Sequence, residues 1–359
     1  MSHKTEYKIL GLMSGTSLDG LDLAFCHFYK ENQDWQYQLI KARSISYSTS
    51  QQAKLKNSTN IPADDLLHLD VLFGEWLGEQ AKAFVEEYQL EVDYIASHGH
   101  TVFHQPERRL TYQIGHGQAL AQAAGIPTIC DFRTADVLLG GQGAPLVPIG
   151  DQTLFSSYDY CLNLGGISNI SLDLHGKRIA YDIGPANMLL NYLAKKIGLD
   201  FDRGGRIAKD GLTDQNLLTQ LRSLDYYQQA FPKSLGYEWF VERIVPIFKA
   251  SPLSVPDQLS TATEHIAEVL AKDILHFNPE NAQLLVTGGG ALNEHLMMLL
   301  KAKLHPFVEV VIPEKSIIEY KEAIIFGLMG VKKIVNEVNC LASVTGASRN
   351  SVGGRIFYP

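Results

Sequence analysis

The sequence predicts a two-domain α/β fold in which duplicated mixed sheets, covered by helices, flank an interdomain cleft. Its 359 residues are enough for two domains with a core each. A repeated pattern supports the duplication: strand, turn rich in glycine and hydroxyl residues, and strand occur in residues 11–25 and again in residues 158–174. Each pair is followed by a third strand and by helices. The alternative is a duplicated fold whose two turns bind no ligand.

The elements follow from hydrophobic periodicity and turn residues. Strands are predicted at residues 7–12, 21–29 and 35–45, and a long amphipathic helix begins after Pro62. Further strands are predicted in VDYIASHGH, PTICDF, GKRIAYDIG and AQLLVT, and helices in GHGQALAQAAGI, PANMLLNYLAKKIG and YKEAIIFGLMGVKKIV. Pro185 suits the first turn of the helix in PANML.

The domain boundaries are predicted from composition. GGQGAPLVP, residues 140–148, is the candidate hinge because glycine and proline interrupt regular structure. We expect domain I to comprise residues 1–130 with the C-terminal segment 340–359, and domain II to comprise residues 131–339.

Charge and composition exclude several classes of protein. The net charge is -8 and the sequence has no basic stripe, which argues against a protein that binds nucleic acid or an anionic membrane. No apolar run is long enough to span a membrane. The cysteines form no CxxC pair, which favours buried thiols in a reducing compartment: Cys26, Cys130, Cys161 and Cys340. We expect a cytoplasmic protein.

The turn SGTSLDG has more glycine and hydroxyl residues than a tight turn needs. It joins two strands and lacks a following Gly-Lys-Ser/Thr, so it is neither a Walker loop nor a dinucleotide fingerprint. We predict that its backbone N–H groups hold an anion. TGGGAL, residues 287–292, joins a strand to a helix, where glycines serve close packing as often as nucleotide binding.

Candidate side chains lie at strand ends. Asp182 is placed for proton transfer, or else caps the following helix. Arg133 either binds a carboxylate with its two-pronged guanidinium or pairs with Asp131 or Asp136. His98 also ends a strand. Four histidines fall close together, but their spacing matches no usual zinc site and no cysteine joins them: His98, His100, His104 and His116.

Seven motifs occur together and in order: GLMSGTSLDGLD, SHGHT, DFRTAD, GGQGAPLVP, NLGGISNI, YDIGPAN and VTGGGALN. With them the chain resembles the anhydro-N-acetylmuramic acid kinase family over essentially its full length. The resemblance implies an actin-like fold of the sugar kinase and heat-shock ATPase type. It also implies ATP with Mg²⁺ as cofactors, a homodimer, and a place in cytoplasmic peptidoglycan recycling.

The resemblance further implies the reaction and its residues. The substrate is 1,6-anhydro-N-acetylmuramic acid, which is opened by water and phosphorylated to N-acetylmuramic acid 6-phosphate. Asp182 is the expected general base and Glu322 its partner in holding the water, while Arg133 and His98 are expected on the sugar, with Arg133 on the lactyl carboxylate. No residue is assigned to the metal. The residues expected to bind the nucleotide are Gly15, Thr16, Ser17, Leu18, Asp19, Gly20, Leu21, Asp22, Gly165, Gly166, Gly288 and Gly289.

Four positions depart from the pattern of the family or of the wider superfamily. Met13 and Asn163 stand where the superfamily commonly has acids, and His100 and Ala186 replace the more usual residues of HGQT and GPGN. Two other functions stay open at this point. One is a kinase of the same fold that acts on another small sugar or carboxylate, and the other is a non-catalytic, actin-like nucleotide switch.

Overall fold

The computed structural model describes residues 4–15 and 18–359, and the chain divides into two compact units. Unit 1 comprises Met1–Phe155 and Tyr320–Pro359, and unit 2 comprises Ser156–Glu319. The observed boundaries therefore lie after Phe155 and Glu319, whereas the sequence predicted them after residues 130 and 339.

The glycine- and proline-rich stretch at residues 140–148 lies inside unit 1 and does not mark the boundary. Its backbone is tied to the rest of that unit: the Gln142 N–H donates to the Thr345 carbonyl at 2.8 Å, and the Gly143 N–H donates to Asp136 Oδ2 at 2.8 Å. Composition suggested a hinge here, but these hydrogen bonds fix the stretch as a structured loop.

Unit 1 contains a mixed sheet, a separate hairpin and a set of helices. Its strands are β1 (Glu6–Ser14), β2 (Gly20–Glu31), β3 (Asp34–Ser46), β4 (Tyr94–Ser97), β5 (His100–Gln105), β6 (Leu110–Ile114), β7 (Thr128–Cys130) and β13 (Arg355–Phe357). Its helices are α1 (Thr49–Asn57), α2 (Ala63–Glu87), α3 (Gly117–Ala124), α4 (Thr134–Leu138), α5 (Pro148–Leu154), α13 (Lys315–Ile334, which contains the boundary) and α14 (Ala342–Thr345).

Unit 2 contains a second mixed sheet. Its strands are β8 (Tyr160–Leu164), β9 (Ile167–Leu174), β10 (Lys177–Pro185), β11 (Ala282–Thr287) and β12 (Val308–Val311). Its helices are α6 (Asn187–Lys195), α7 (Arg206–Asp210), α8 (Gln215–Arg222), α9 (Tyr237–Trp239), α10 (Val245–Ala250), α11 (Val255–Leu275) and α12 (Glu294–Leu304).

The two sheets share one topology, which confirms the predicted duplication. The sheet of unit 1 has the order β13-β7-β4-β1-β2-β3, and that of unit 2 has the order β10-β9-β8-β11-β12. In unit 1, β1, β2 and β3 form an antiparallel meander, β1 also pairs in parallel with β4, and β4 pairs in parallel with β7. In unit 2, β8, β9 and β10 form the meander, β8 also pairs in parallel with β11, and β11 pairs in parallel with β12. The strands β1, β4 and β7 therefore correspond to β8, β11 and β12.

Apolar periodicity explains how the helices pack. Along α2 the buried side chains recur at helical spacing, as the sequence predicted: Leu66, Phe73, Leu77, Ala81 and Phe84. They join Leu10, Leu12 and Ile95 of the sheet in one core. Gly11 allows α13 to approach β1, because a Cβ there would lie within 1.9 Å of the Ala323 carbonyl oxygen.

Some local predictions were wrong or incomplete. Pro185 ends β10 and does not enter the helix, which begins at Asn187. The hairpin of β5 and β6 was not predicted. Within residues 4–15 and 18–359, no helix has the length and apolarity needed to cross a lipid bilayer.

Candidate functional site

The β8–β9 turn of unit 2 is fastened to the start of α6. The N–H groups of Ala186 and Met188 donate to the carbonyl of Gly166, and the N–H of Asn187 donates to the carbonyl of Gly165, at 2.8–3.1 Å. The N–H groups of Gly165 and Gly166 have no partner among the residues that the structure describes. Both carbonyls of the turn therefore accept hydrogen bonds from α6 and its N-cap, whereas its two N–H groups are available to a ligand.

Three glycines near this turn are not required by the fold. A Cβ on Gly165, Gly166 or Gly289 would meet no atom closer than 3.5 Å, and none of the three has a left-handed φ. Gly288 differs, because its φ is +78° and a Cβ would lie 2.5 Å from Asn163 Oδ1. The three unconstrained glycines leave bare backbone, which an anion such as a phosphate can approach closely.

A cavity of about 420 Å³ lies in unit 2 beside Gly289. Its lining combines apolar side chains with polar and charged ones, and the Arg203 guanidinium lies 5.9 Å from the ring centre of Phe201. A cavity of this size is large enough for a planar heteroaromatic group. Its main lining residues are Asn187, Leu190, Phe201, Arg203, Leu292 and Asn293.

Asp182 lies on β10 and is held by a neighbouring loop. Its Oδ2 accepts hydrogen bonds from the Leu235 N–H at 2.9 Å and from the Ser234 hydroxyl at 3.3 Å, and its carbonyl accepts one from the Tyr226 hydroxyl. Oδ1 has no partner in the described part of the chain. Burial raises the pKa of Asp182, although the two hydrogen bonds oppose this shift.

Asp182 does not cap the following helix, so this alternative is wrong. The N-cap of α6 is Ala186, which provides no side-chain acceptor. The register of β10 shifts between Asp182 and Gly184, where a bulge interrupts the pairing with β9. Bulges re-aim side chains, and here the loop that contains Leu235 receives the carboxylate.

The first glycine turn is only partly described, since Thr16 and Ser17 lie outside the described residues. The N–H of Leu18, whose φ is +62°, donates to the Gly15 carbonyl at 3.3 Å. Gly20 begins β2, and a Cβ there would lie 2.3 Å from the Ile45 carbonyl oxygen. Close strand packing therefore requires Gly20, whatever ligand the turn binds.

The remaining predicted residues of this turn differ in exposure. The Leu21 side chain is fully buried in the core of unit 1, so only its backbone can reach a ligand. Asp19 is exposed. Asp22 accepts a hydrogen bond from the Ser44 hydroxyl on β3.

His98 and Arg133 are in direct contact in unit 1. Arg133 Nε donates to His98 Nε2 at 3.0 Å, and His98 Nδ1 donates to the Gly99 carbonyl at 2.9 Å. The His98 ring is buried and lies 4.7 Å from the ring centre of Phe326. Burial and the Arg133 charge both lower the pKa of His98 well below its usual value, so the ring is neutral near pH 7.

Neither acid that was considered as a partner pairs with Arg133. Asp131 pairs with Arg355 at 3.0 Å, and Asp136 accepts from Gly143 and from the Thr345 hydroxyl. Desolvation lowers the pKa of Arg133 to about 10, and Glu322 opposes this shift. The guanidinium is thus fixed in place without a salt bridge to Asp131 or Asp136.

Glu322 lies on α13 and shares its surroundings with Arg133. Its side chain is accessible to solvent, and desolvation by the surrounding protein still raises its pKa, against the positive charges of Arg133 and Lys321. Lys321 is itself in a buried ion pair with Asp151 at 2.6 Å. The structure therefore brings His98, Arg133 and Glu322 together in unit 1.

The other histidines of the cluster have separate partners. His100 Nδ1 lies 3.0 Å from the Ser14 hydroxyl, and burial lowers the pKa of His100 to about 4. His104 contacts Thr111, and His116 caps α3. Over residues 4–15 and 18–359, no group of three or more histidine, cysteine or acidic side chains could hold a metal ion.

The sequence did not reveal the roles of two residues that support the site. Asn187 donates from Nδ2 to the Leu164 carbonyl and lies beside Gly289. Asp136 is fully buried and orders the Gly143 loop. Both lie in motifs quoted above, Asn187 in YDIGPAN and Asp136 in DFRTAD. A polar residue among apolar neighbours was the signal that could have indicated their roles.

Comparison with known proteins decides the family. The model of the anhydro-N-acetylmuramic acid kinase family matches residues 7–359. The chain belongs to the anhydro-N-acetylmuramic acid kinase family. The anhydro-N-acetylmuramic acid kinases of Variovorax paradoxus and Synechococcus elongatus are 35% and 34% identical to it, over 97% and 98% of this chain and 98% and 99% of theirs. A solved activator of 2-hydroxyisocaproyl-CoA dehydratase from Clostridium difficile has a TM-score of 0.45 at 12% identity, over 92% of this chain and 98% of that one.

Membership of the anhydro-N-acetylmuramic acid kinase family establishes the activity. The chain is a kinase that uses ATP to phosphorylate anhydro-N-acetylmuramic acid in cell-wall recycling. The resemblance found in the sequence and the predicted enzyme class are thereby confirmed.

Proposed function

We propose that the chain opens the 1,6-anhydro ring with water while it phosphorylates the freed 6-oxygen, and that Asp182 is the general base. The observation that carries this proposal is the fixed carboxylate of Asp182, with Oδ2 bound by Leu235 and Oδ1 free of described partners. A positioned carboxylate whose pKa is raised by burial is a stronger base than an ordinary one.

The step balances in protons and bonds. The water oxygen bonds to the anomeric carbon, and Asp182 takes the water proton. The bond from that carbon to the 6-oxygen breaks, and the 6-oxygen attacks the γ-phosphorus as the bond to ADP breaks. No phosphorylated enzyme is formed, so the protein contributes positioning and charge neutralisation.

Residues of unit 1 serve the sugar and the water in this proposal. Glu322 is the second carboxylate for the water, and its raised pKa suits a hydrogen-bond partner of water. Arg133 binds the lactyl carboxylate, because its guanidinium is held without an acidic partner of its own among Asp131 and Asp136. His98 belongs to the same part of the site through its contact with Arg133.

The phosphates of ATP are assigned to the glycine turns. There is open space next to the backbone of Gly165, Gly166 and Gly289. The cavity beside Gly289 is assigned to the adenine base of ATP. Gly288 supports the same loop, and the segment from Gly15 to Asp22 is assigned to the phosphates from unit 1. Mg²⁺ bound together with ATP would neutralise part of the phosphate charge. Such an ion needs only one or two protein carboxylates beside the phosphate oxygens.

Two further features belong to this proposal. A cytoplasmic location agrees with the burial of the thiols of Cys26, Cys161 and Cys340. A homodimer is carried over from the family resemblance alone.

A coupled assay tests the proposed function. ADP release should require both Mg²⁺ and anhydro-N-acetylmuramic acid, and should equal the sugar consumed. A panel of hexoses and small carboxylates should release little ADP. Equal release with another sugar would favour a different kinase specificity, and ADP release without sugar would favour the nucleotide switch.

A further inference from the structure

Both ring nitrogens of His98 are occupied by protein groups. Nδ1 donates to the Gly99 carbonyl at 2.9 Å, which leaves Nε2 as the acceptor that receives the Arg133 Nε proton at 3.0 Å. A neutral imidazole has one donor and one acceptor. The ring is also buried against Phe326. His98 therefore has no nitrogen left for a sugar.

Arg133 is braced at a second point. Nη1 donates to the carbonyl of Gly143, and the Gly143 N–H donates to Oδ2 of the buried Asp136. Gly143 has a φ of +66°, and a Cβ there would lie 2.6 Å from the Val137 side chain, so this position of the loop requires glycine. The two braces use two of the five guanidinium protons. Three remain, two of them on Nη2.

We infer that His98 is a positioning residue for the reaction: it does not bind the sugar, but holds the Arg133 guanidinium so that its remaining protons face the substrate carboxylate. The inference rests on the proposed role of Arg133. It makes sugar recognition depend on the acceptor at His98 Nε2, since an unbraced arginine side chain has many rotamers and loses entropy when it binds.

Two substitutions separate the roles of the ring nitrogens. His98→Gln places a carbonyl oxygen near the position of Nε2 and keeps the acceptor for Arg133. His98→Gln therefore serves as the matched control. His98→Asn is the test variant, because its shorter amide can reach the Gly99 carbonyl but not Arg133. We expect His98→Asn to raise KM for anhydro-N-acetylmuramic acid about 10- to 150-fold, the range for a lost hydrogen bond to a charged group. His98→Gln should stay within a few-fold of the parent, and kcat should change little in either.

A double-mutant cycle gives the decisive result. If His98 acts through Arg133, His98→Asn should raise KM in the parent but add nothing in an Arg133→Ala background. Melting temperatures of all four proteins show whether each is folded. Additive effects, or equal losses in the Gln and Asn variants, would overturn the positioning role and leave the role of Arg133 intact. An unchanged KM in Arg133→Ala alone would overturn both.

Discussion

The backbone N–H of Leu235 donates a hydrogen bond of 2.9 Å to Oδ2 of Asp182. A backbone donor cannot rotate away, so it fixes the plane of the carboxylate in advance of any substrate. Ser234 adds a longer contact of 3.3 Å to the same oxygen. The catalytic proposal depends on this arrangement, because a general base must be held in place before it takes a proton.

Asp182→Asn should abolish most of the turnover. The amide oxygen can still accept from Leu235, but the side chain cannot take a proton from water. We expect kcat to fall about 100- to 10,000-fold, the usual range for loss of a general base. ATP affinity should be nearly unchanged, because the phosphates are assigned to the glycine turns and not to this carboxylate. Ser234→Ala is the control and should lose far less activity, since Leu235 remains. If Asp182→Asn kept more than about a tenth of the activity, Asp182 would not be the base.

The same variant should be more stable than the parent near neutral pH. Burial raises the pKa of Asp182, so folding favours the protonated carboxyl. The stabilisation from that proton is complete below the unfolded pKa of about 3.9 and is lost as the pH rises through the folded pKa. Asparagine does not ionise and escapes this loss. The melting temperature of Asp182→Asn should therefore exceed that of the parent at neutral pH, with the gap narrowing in acid. A lower melting temperature at neutral pH would contradict the raised pKa.

Much of the fold could be predicted because local patterns and tertiary structure agree. The strand–turn–strand repeat predicted both meanders, and the apolar spacing of α2 predicted its buried face. The boundaries could not be predicted in this way. Residues 140–148 have the composition of a hinge, yet hydrogen bonds from Gln142 and Gly143 to distant residues make them part of unit 1.

The candidate site could likewise be predicted only in part. Asp182 and Arg133 were selected from their places at strand ends, and Glu322 from the family resemblance. The structure excludes helix capping for Asp182. The sequence could not show that both nitrogens of His98 are occupied, because Arg133 and the Gly99 carbonyl reach the ring only in the folded unit. Nor could it show that Gly20 is required by strand packing, whereas Gly166 is not.

The glycines of unit 2 offer a matched pair of substitutions. Gly166→Ala adds a methyl group where there is room, so stability should change by no more than about 0.5 kcal/mol. ATP should nevertheless bind at least about 10-fold more weakly, since one hydrogen bond to a charged group is worth that much. Gly288→Ala should instead destabilise the protein by about 1–3 kcal/mol, because its φ is left-handed and a Cβ meets Asn163. Calorimetric ATP titration and urea unfolding measure both effects. Normal ATP binding by a folded Gly166→Ala would contradict the assignment of this turn to the phosphates.

Arg133 should determine selection of the lactyl group. The anhydro form of N-acetylglucosamine lacks that carboxylate and leaves the guanidinium without its partner. A broken charged pair costs about 2–5 kcal/mol, so kcat/KM should be about 30- to 5,000-fold lower for this sugar. In Arg133→Ala the difference between the two sugars should largely disappear. Equal kcat/KM values in the parent would show that Arg133 has only a structural role.

Oxygen labelling shows whether water opens the ring while the sugar is phosphorylated, as proposed. The reaction is run in heavy-oxygen water and quenched early, and unlabelled product incubated in the same water corrects for exchange at the anomeric carbon. Ring opening by water predicts one heavy oxygen at the 1-position of N-acetylmuramic acid 6-phosphate and none in its phosphate. Label in the phosphate, or a 1-oxygen without label beyond exchange, would contradict it.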